Sequence, residues 1–229
     1  ATLDQVITLR PDRLAVYGYA PLPSMFKAQR HIREADLPDA ALRLSLLQLA
    51  IGKLTGAGYQ FIGLDHFALP EDPLAVAQRW GTMHCTFPGY TTHASRDLIS
   101  FGVSAIGQVG DLFIQNYKRV QDYGAALARG VLPHQRGVLS SADDAIRRDV
   151  IQRIMCHGGL EFRTGFDQYF APELQKLRTL SEDGLVQTGT RAIALTPRGR
   201  LLMRNVAMVF DAYLARREAA QAHAQSRVI

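Results

Sequence analysis

Between Gly58 and Gly107 the chain sets His, Asp, Arg and Tyr among glycines and short apolar runs, as loops do where backbone and polar side chains approach a ligand. Asp65-His66 puts a carboxylate beside an imidazole, a pair able to orient a substrate or to hold itself in a structural hydrogen bond. Arg30, Arg33, Arg79 and Arg96 carry the planar guanidinium that matches a carboxylate; Arg79 is the first choice, and a surface cation is the competing reading for each. Tyr90-Thr91-Thr92 offers three hydroxyls, suited to a polar ligand and equally to a turn. His93 and His134 fall in no pattern.

Cys85 and Cys156 are the only cysteines, 71 positions apart with no Cys-x-x-Cys. They cannot hold a zinc or iron–sulfur centre unaided, so no metal ligand is assigned here, and two packed thiols is the plain reading. The 229 residues, 47% hydrophobic and 21% charged, suit one large or two modest globular domains. The longest apolar runs, such as 44–51 and 206–210, stop far short of the ~20 residues that cross a bilayer. The first residues lack a secretory pattern, which makes the cytoplasm the default expectation. The net charge of +5 divides as +2 over 1–139 and +3 over 140–229. Only Arg198, Arg200 and Arg204 cluster, a thin footprint that argues against nucleic-acid binding.

The elements that must position these groups follow from pattern. Residues 1–9 read as the last turns of a helix stopped by Arg10-Pro11-Asp12, and with no initiator Met the chain is expected to be a piece of a longer protein. Residues 13–20 are strand-like, and 24–35 are a short, partly helical insertion. Asp36 to Asp39 is a turn and cap for a helix over 40–57, with Leu42, Leu46, Leu49, Ile51 and Leu54 on its apolar face. Residues 59–65 form the next strand. This βαβ rhythm predicts a parallel sheet, with the polar strand ends at 17–20 and 65–67 opening into loops where ligands bind.

Residues 97–115 suit one more strand and a tight loop, with Ile106 near its end. Residues 116–129 suit a helix carrying Tyr117, Val120, Tyr123 and Leu127 on one face. Residues 130–137 are the best domain boundary, separating 1–130 from 138–229. Beyond it, Ser140 to Asp144 caps a helix with Ile146, Val150, Ile151, Ile154 and Met155 as its stripe, and Arg147-Arg148 on a solvated face, with interdomain pairing as the alternative. A helix over 172–180, a hairpin of 185–187 with 192–195, and one long closing helix from Thr196-Pro197 outline a winged-helix-like module.

Several uncommon strings occur in order: Tyr17-Gly18-Tyr19-Ala20, Gly58 to Ala68, Leu74 to Arg79, Phe87-Pro88-Gly89-Tyr90-Thr91-Thr92, Gly102 to Ile106 and Ile146 to Val150. Together, from end to end, the chain resembles the oxygen-independent coproporphyrinogen III oxidases. The resemblance implies an α/β fold: the C-terminal strands and helices of an incomplete β/α barrel, followed by a mainly helical, winged-helix-like domain. It implies a 4Fe-4S cluster, whose Cys-x-x-x-Cys-x-x-Cys motif is absent here, and S-adenosyl-L-methionine as the source of a 5'-deoxyadenosyl radical. The reaction implied is oxidative decarboxylation of two propionates of coproporphyrinogen III to vinyl groups, giving protoporphyrinogen IX. The partners are then the porphyrinogen and an electron donor for the cluster.

By motif, the resemblance implies that Ala20 lines one S-adenosylmethionine, that Ile106 contacts another, and that Phe87 is a functional aromatic. Asp65, His66, Arg79, Tyr90 and Thr91 are the substrate-binding candidates. The chain departs from the family pattern at Pro21, where a His is usual, and at Cys85, Thr86 and Pro88, where Arg, Asn and Gln are usual. Those changes remove a guanidinium and amides from a loop expected beside a tetracarboxylate. A radical relative acting on another substrate or carrying haem, and a winged-helix nucleic-acid-binding or scaffold protein, are the alternatives.

Overall fold

The structure, a computed structural model, describes residues 2–24, 26–86, 89–93, 97–214 and 216. Its packing divides the chain after Trp80 into two units. The first holds α1 (Thr2–Leu9), β1 (Arg13–Ala15), two 3-10 turns at Lys27–His31 and Glu34–Asp36, α2 (Ala40–Gly56), β2 (Gln60–Gly63), β3 (His66–Ala68) and α3 (Pro73–Trp80). Helix α2 starts where Asp39 accepts a hydrogen bond from the Leu42 amide at 2.8 Å, filling one of the donors a helix N-terminus leaves open.

The sheet of this unit runs β1-β3-β2 with both pairings antiparallel, not the parallel arrangement the βαβ rhythm predicted. Residues 65–67 were expected to open into a polar loop; instead the chain turns back from β2 and 66–68 form β3, which takes the place between β1 and β2. The turn that allows this has positive φ at Gly63 (144°) and Leu64 (53°). It drives Phe67 into the core, 5.2 Å from the Phe61 ring and beside Leu54 and Tyr59. The Tyr59 hydroxyl donates to Pro11 O at 2.7 Å, so the one polar atom of that core is satisfied. Strand β1 is shorter than expected, and residues 17–24 are exposed and irregular. The expected core face of α2 is also corrected. Leu42, Leu46 and Leu49 are 51%, 49% and 54% exposed, and only Ala50 and Leu54 of that helix are buried.

The second unit opens with the hairpin β4 (His84–Thr86) and β5 (Gly89–Thr91). An antiparallel sheet follows, of β6 (Ile106–Val109), β7 (Leu112–Asn116) and β8 (His134–Leu139), with α4 (Val120–Ala128) linking β7 to β8. Then come α5 (Ala142–His157), β9 (Gly159–Glu161), α6 (Phe166–Tyr169), α7 (Ala171–Glu182), β10 (Val186–Thr188), β11 (Ala192–Leu195), α8 (Pro197–Leu201) and α9 (Met203–Met208). The stretch read as a linker, 130–137, runs into β8 and pairs with β7.

Where one strand was expected over 97–115 there are two, and Ile106 begins the first of them. The helix expected from Asn116 starts only at Val120, because Asn116 ends β7 and is buried. The closing helix is broken at Leu202 into α8 and α9. Each piece docks separately: α9 packs on α5 and its Val206 is fully buried, while α8 sets Gly199 against Leu185 just before β10. Helix α5 is capped by Ser141 and Asp144, each accepting from the other's backbone amide, as the sequence indicated. Strands β10-β11-β9 form a sheet beside α7 and α5, and the core there is Ile154, Phe166, Phe170, Leu177, Ile193 and Phe210.

Candidate functional site

The sequence-derived candidates fall in both units, and each is placed within its own. In the first, Ala20 lies in the exposed segment before Ser24. Gln29 holds that segment, accepting from the Leu22 amide at 2.5 Å and donating to Ala20 O at 3.4 Å. Asp65 and His66 meet, with Oδ1 and Nδ1 2.7 Å apart, at the tight turn between β2 and β3. The backbone carbonyl of Asp65 accepts from Val16 N at 2.7 Å and ties the turn to the end of β1. Arg79 is placed elsewhere, donating from Nη1 to Gln60 Oε1 at 2.8 Å and from Nη2 to Pro70 O at 2.7 Å. Arg30 donates to Pro23 O at 3.0 Å, and Arg33 pairs with Asp36 at 2.8 Å on the surface.

In the second unit Tyr90 is buried, its hydroxyl donating to Met155 O at 3.0 Å and lying 3.5 Å from Met203 Sδ. Thr91, next along β5, accepts from His93 N at 3.1 Å. Phe87 and Arg96 lie outside the described residues, as does the tail from 217. Gln152 was not foreseen from pattern; its side-chain amide accepts from Cys85 N at 2.8 Å and donates to Cys85 O, fastening β4 to α5 like one more strand.

Burial raises the thiol pKa of both cysteines: that of Cys85 despite the opposing pull of Arg204, and that of Cys156 to about 12, with Cys85 adding to the shift. Since the thiolate is the reactive form, neither should react readily with iodoacetamide near neutral pH. Mass spectrometry of the native chain at pH 7.5 should find both sulfurs unlabelled while the urea-unfolded chain takes up two labels. Rapid native labelling of Cys156 would refute this.

Ile106 is set by a stapled loop. Asn116, 2% exposed, donates from Nδ2 to Gly102 O at 2.9 Å, its amide donates to Ala105 O at 3.0 Å, and the Ser104 amide donates to Tyr117 O at 2.8 Å. Gly107 is required because a Cβ there would stand 2.7 Å from Leu98 O, where the chain crosses β6. This loop presents Ile106 to a cavity of about 620 Å³ between the β6-β7-β8 sheet, α5 and residues 210–213.

Phe113, Val138 and Ile151 give the cavity apolar wall, while Arg136, Arg147 and Arg148 bring guanidinium groups to it. Arg147, expected on a solvated face, is instead 17% exposed and donates to Asp143 at 2.9 Å, Glu173 at 2.8 Å and Phe210 O at 3.2 Å. Asp144 also lines the cavity. Hydrogen bonds from the Ser141 amide and hydroxyl, at 2.8 and 2.7 Å, hold its carboxyl below the usual range, so it stays ionised as a cap. Tyr90, Thr91 and the first unit's candidates are not in this lining.

Among the described residues no group of three His, Cys, Asp or Glu side chains is placed to hold a metal ion, and no helix is long and apolar enough to cross a membrane. Two cysteines fall short of the three thiolates that a Cys-x-x-x-Cys-x-x-Cys motif provides, so no residue of this chain is assigned to an iron–sulfur cluster.

No family model matches the sequence. The chain is 48% identical over 235 residues to the oxygen-independent coproporphyrinogen III oxidase of Salmonella typhimurium, and 46% identical over 235 residues to that of Escherichia coli. Both alignments cover 100% of this chain and 51% of the relative, so the chain spans about half their length. The corresponding protein of Thermostichus vulcanus is 42% identical over 222 residues, 93% of this chain and 68% of that protein. Among solved structures, the coproporphyrinogen III oxidase of Escherichia coli, described as a radical SAM enzyme, matches with a TM-score of 0.85 at 46% identity, over 93% of this chain and 50% of that one. The fold is thus a mixed α/β one of the kind found in that radical SAM enzyme, and its cavity has the make-up of a small-molecule site. The chain belongs to the oxygen-independent coproporphyrinogen III oxidase family.

Proposed function

We propose that this chain is the C-terminal half of an oxygen-independent coproporphyrinogen III oxidase, which converts two propionates of coproporphyrinogen III to vinyl groups. The observation that carries the reading is a match running the whole chain at 46–48% identity onto half the length of the relatives. The bare leucines of α2 support it, because three such side chains on one helix face are what a neighbouring wall segment would cover. On this reading the first unit belongs to an incomplete β/α barrel, and the sheet β10-β11-β9 with its helices is a winged-helix-like closing domain. The domain division at 130–138, the supply of electrons by a separate donor and a cytoplasmic setting belong to the same proposal.

S-Adenosylmethionine, with a 4Fe-4S cluster held outside this chain, would supply hydrogen-atom abstraction from the propionate. This chain's share is positioning. Ile106 is proposed, on the family resemblance, to contact an adenosyl ligand. Ala20 is proposed to line the other such ligand, and Phe87 to act at the reacting centre. Asp65 and His66, held as a pair, together with Arg79, Tyr90 and Thr91, are the proposed substrate contacts; at Arg79 a propionate would compete with the bonds to Gln60 and Pro70. Excluding water and holding substrate in line is work that apolar walls and fixed donors do well.

The test is a chimera of the N-terminal half of the Escherichia coli relative joined to this chain, with its cluster reconstituted anaerobically. Protoporphyrinogen IX should form, detected by fluorescence after oxidation, while these 229 residues alone form none. Cleavage of S-adenosylmethionine without any porphyrin product would remove the substrate assignment and favour a divergent relative, the reading to which Cys85, Thr86 and Pro88 point.

A further inference from the structure

The cavity in the second unit has the size of a small-molecule site and two cations without an acidic partner. Arg136 is held by one bond, Nε donating to Gln115 Oε1 at 2.8 Å, and Gln115 is itself fixed by donating to Ser104 O at 3.1 Å. Arg148 donates from Nη2 to Ser140 Oγ at 2.5 Å, and its guanidinium lies 4.8 Å from the centre of the Phe113 ring. Among the described residues neither forms an ion pair. Their other N–H donors, both Nη groups of Arg136 and the Nε and Nη1 of Arg148, have no protein acceptor there.

The other charged groups of the lining are Arg147 and the carboxylates Asp144 and Asp211, and among the described residues neither carboxylate forms an ion pair with Arg136 or Arg148. Arg147 is consumed by Asp143 and Glu173. Asp144 is engaged by Ser141 and by the Tyr213 hydroxyl at 3.1 Å. Asp211 accepts from the amides of Tyr213 and Leu214 at 2.9 and 3.1 Å. Two guanidinium groups without an ion-pair partner among the described residues therefore remain beside a wall built from Phe113, Val138 and Ile151. That combination selects an apolar body carrying carboxylates, because a guanidinium fork pairs with a carboxylate in fixed geometry while the wall takes up the rest.

We propose that this cavity binds the propionate-bearing edge of a tetrapyrrole, with Arg136 and Arg148 as its carboxylate anchors. The identity of the ligand rests on the function proposed above, whereas the two anchors rest on the cavity. The purified chain is titrated with coproporphyrin III, the stable fluorescent tetracarboxylate, and with its uncharged tetramethyl ester. Arg136→Met and Arg148→Met should each weaken coproporphyrin binding about tenfold, Arg148→Lys should recover part of the loss, and the surface control Arg119→Met should change nothing. The ester should bind weakly and alike to all variants. Thermal melting confirms that each variant is folded.

Unchanged coproporphyrin affinity in both Met variants, or an ester that binds as tightly as the acid, overturns the proposal. The two readings fail separately. If the chimera makes product while both Met variants bind like the parent, the cavity assignment falls alone. An inactive chimera, with binding that still depends on both arginines, removes the reaction and leaves the anchors standing.

Discussion

Gly199→Ala is expected to destabilise the second unit by about 4 kcal/mol, at the upper end for a single added methyl group. The backbone of Gly199 is helical, so no conformational strain is involved. Its Cα passes so close to the strand before it that an added Cβ would stand 1.7 Å from Leu185 O and 2.8 Å from Leu185 C. That carbonyl cannot retreat, because it also accepts from the Thr196 amide at 3.1 Å, and the Thr196 hydroxyl is bonded to Gly184 O at 2.7 Å. Making room means lifting α8 off the hairpin and losing both bonds, at about 1 kcal/mol each, besides the packing. The melting transition of the unit should fall by about 10 °C. Gly189→Ala is the control in the same hairpin, since its Cβ would meet only Ala192 O, at 3.6 Å. Gly52→Ala, in α2 with nothing within 4 Å, should raise stability by about 0.8 kcal/mol. A Gly199→Ala melt matching the parent's would show that α8 is not seated on the hairpin as described.

What could be read from the sequence was whatever is encoded locally. Asp39 and Ser141 announce their helices because a cap needs only a short polar side chain and the amides two or three residues on. The β10-β11 hairpin was visible in the turn residues that flank it. Strands β3, β4, β5 and β9 are three residues long, too short for any alternation to register, and exist because partners pair with them. For the same reason the antiparallel sheet of the first unit was misread. Its rhythm is strand, helix, strand, but the pairing that matters is made by β3, a segment that looks like a loop. The leucines of α2 misled for a different cause: a periodic apolar stripe marks a face that can be covered, and does not say what covers it.

The candidate site divides along the same line. Glycines around Ile106 marked a place of close backbone approach, and Gly107 is one. Arg136 was not singled out and Arg148 was read only as part of a solvated helix face, because one sits on a strand and the other on a helix, and only the packing of sheet against helix brings both to one cavity. Arg147 looked like a solvated cation because its neighbours in sequence are charged. Its real surroundings, Glu173 and Phe210, come from α7 and the end of the chain fold, separations at which residue order carries no signal.

Arg147→Ala is expected to lower the stability of the second unit by about 2–3 kcal/mol, less than the loss for a fully buried ion pair because Arg147, Glu173 and Asp143 keep 17%, 14% and 34% of their side-chain surface exposed. The guanidinium pairs with Asp143 and Glu173, caps the Phe210 carbonyl and lies 5.4 Å from the centre of the Phe170 ring. Glu173 is 14% exposed, and among the described residues its Oε2 has no partner, so without Arg147 a carboxylate is left in the core with nothing to balance it. Arg147→Met keeps the stem over Phe170 and should lose less than Ala, and adding Glu173→Gln to it should restore part of the loss by removing the stranded charge. The pH dependence gives an independent check. The Tyr169 hydroxyl, 2.5 Å away, and then Arg147 hold the Asp143 carboxyl below the usual carboxylate range. A depressed carboxyl contributes stability that is present above its unfolded pKa and is lost as pH falls through the folded one. Removing Arg147 raises the folded value toward the ordinary range, so the variant should show a smaller difference between pH 6 and pH 3 than the parent. Equal acid slopes in urea titrations of the two proteins would mean that Asp143 and Arg147 are not coupled, and the buried network would have to be redrawn.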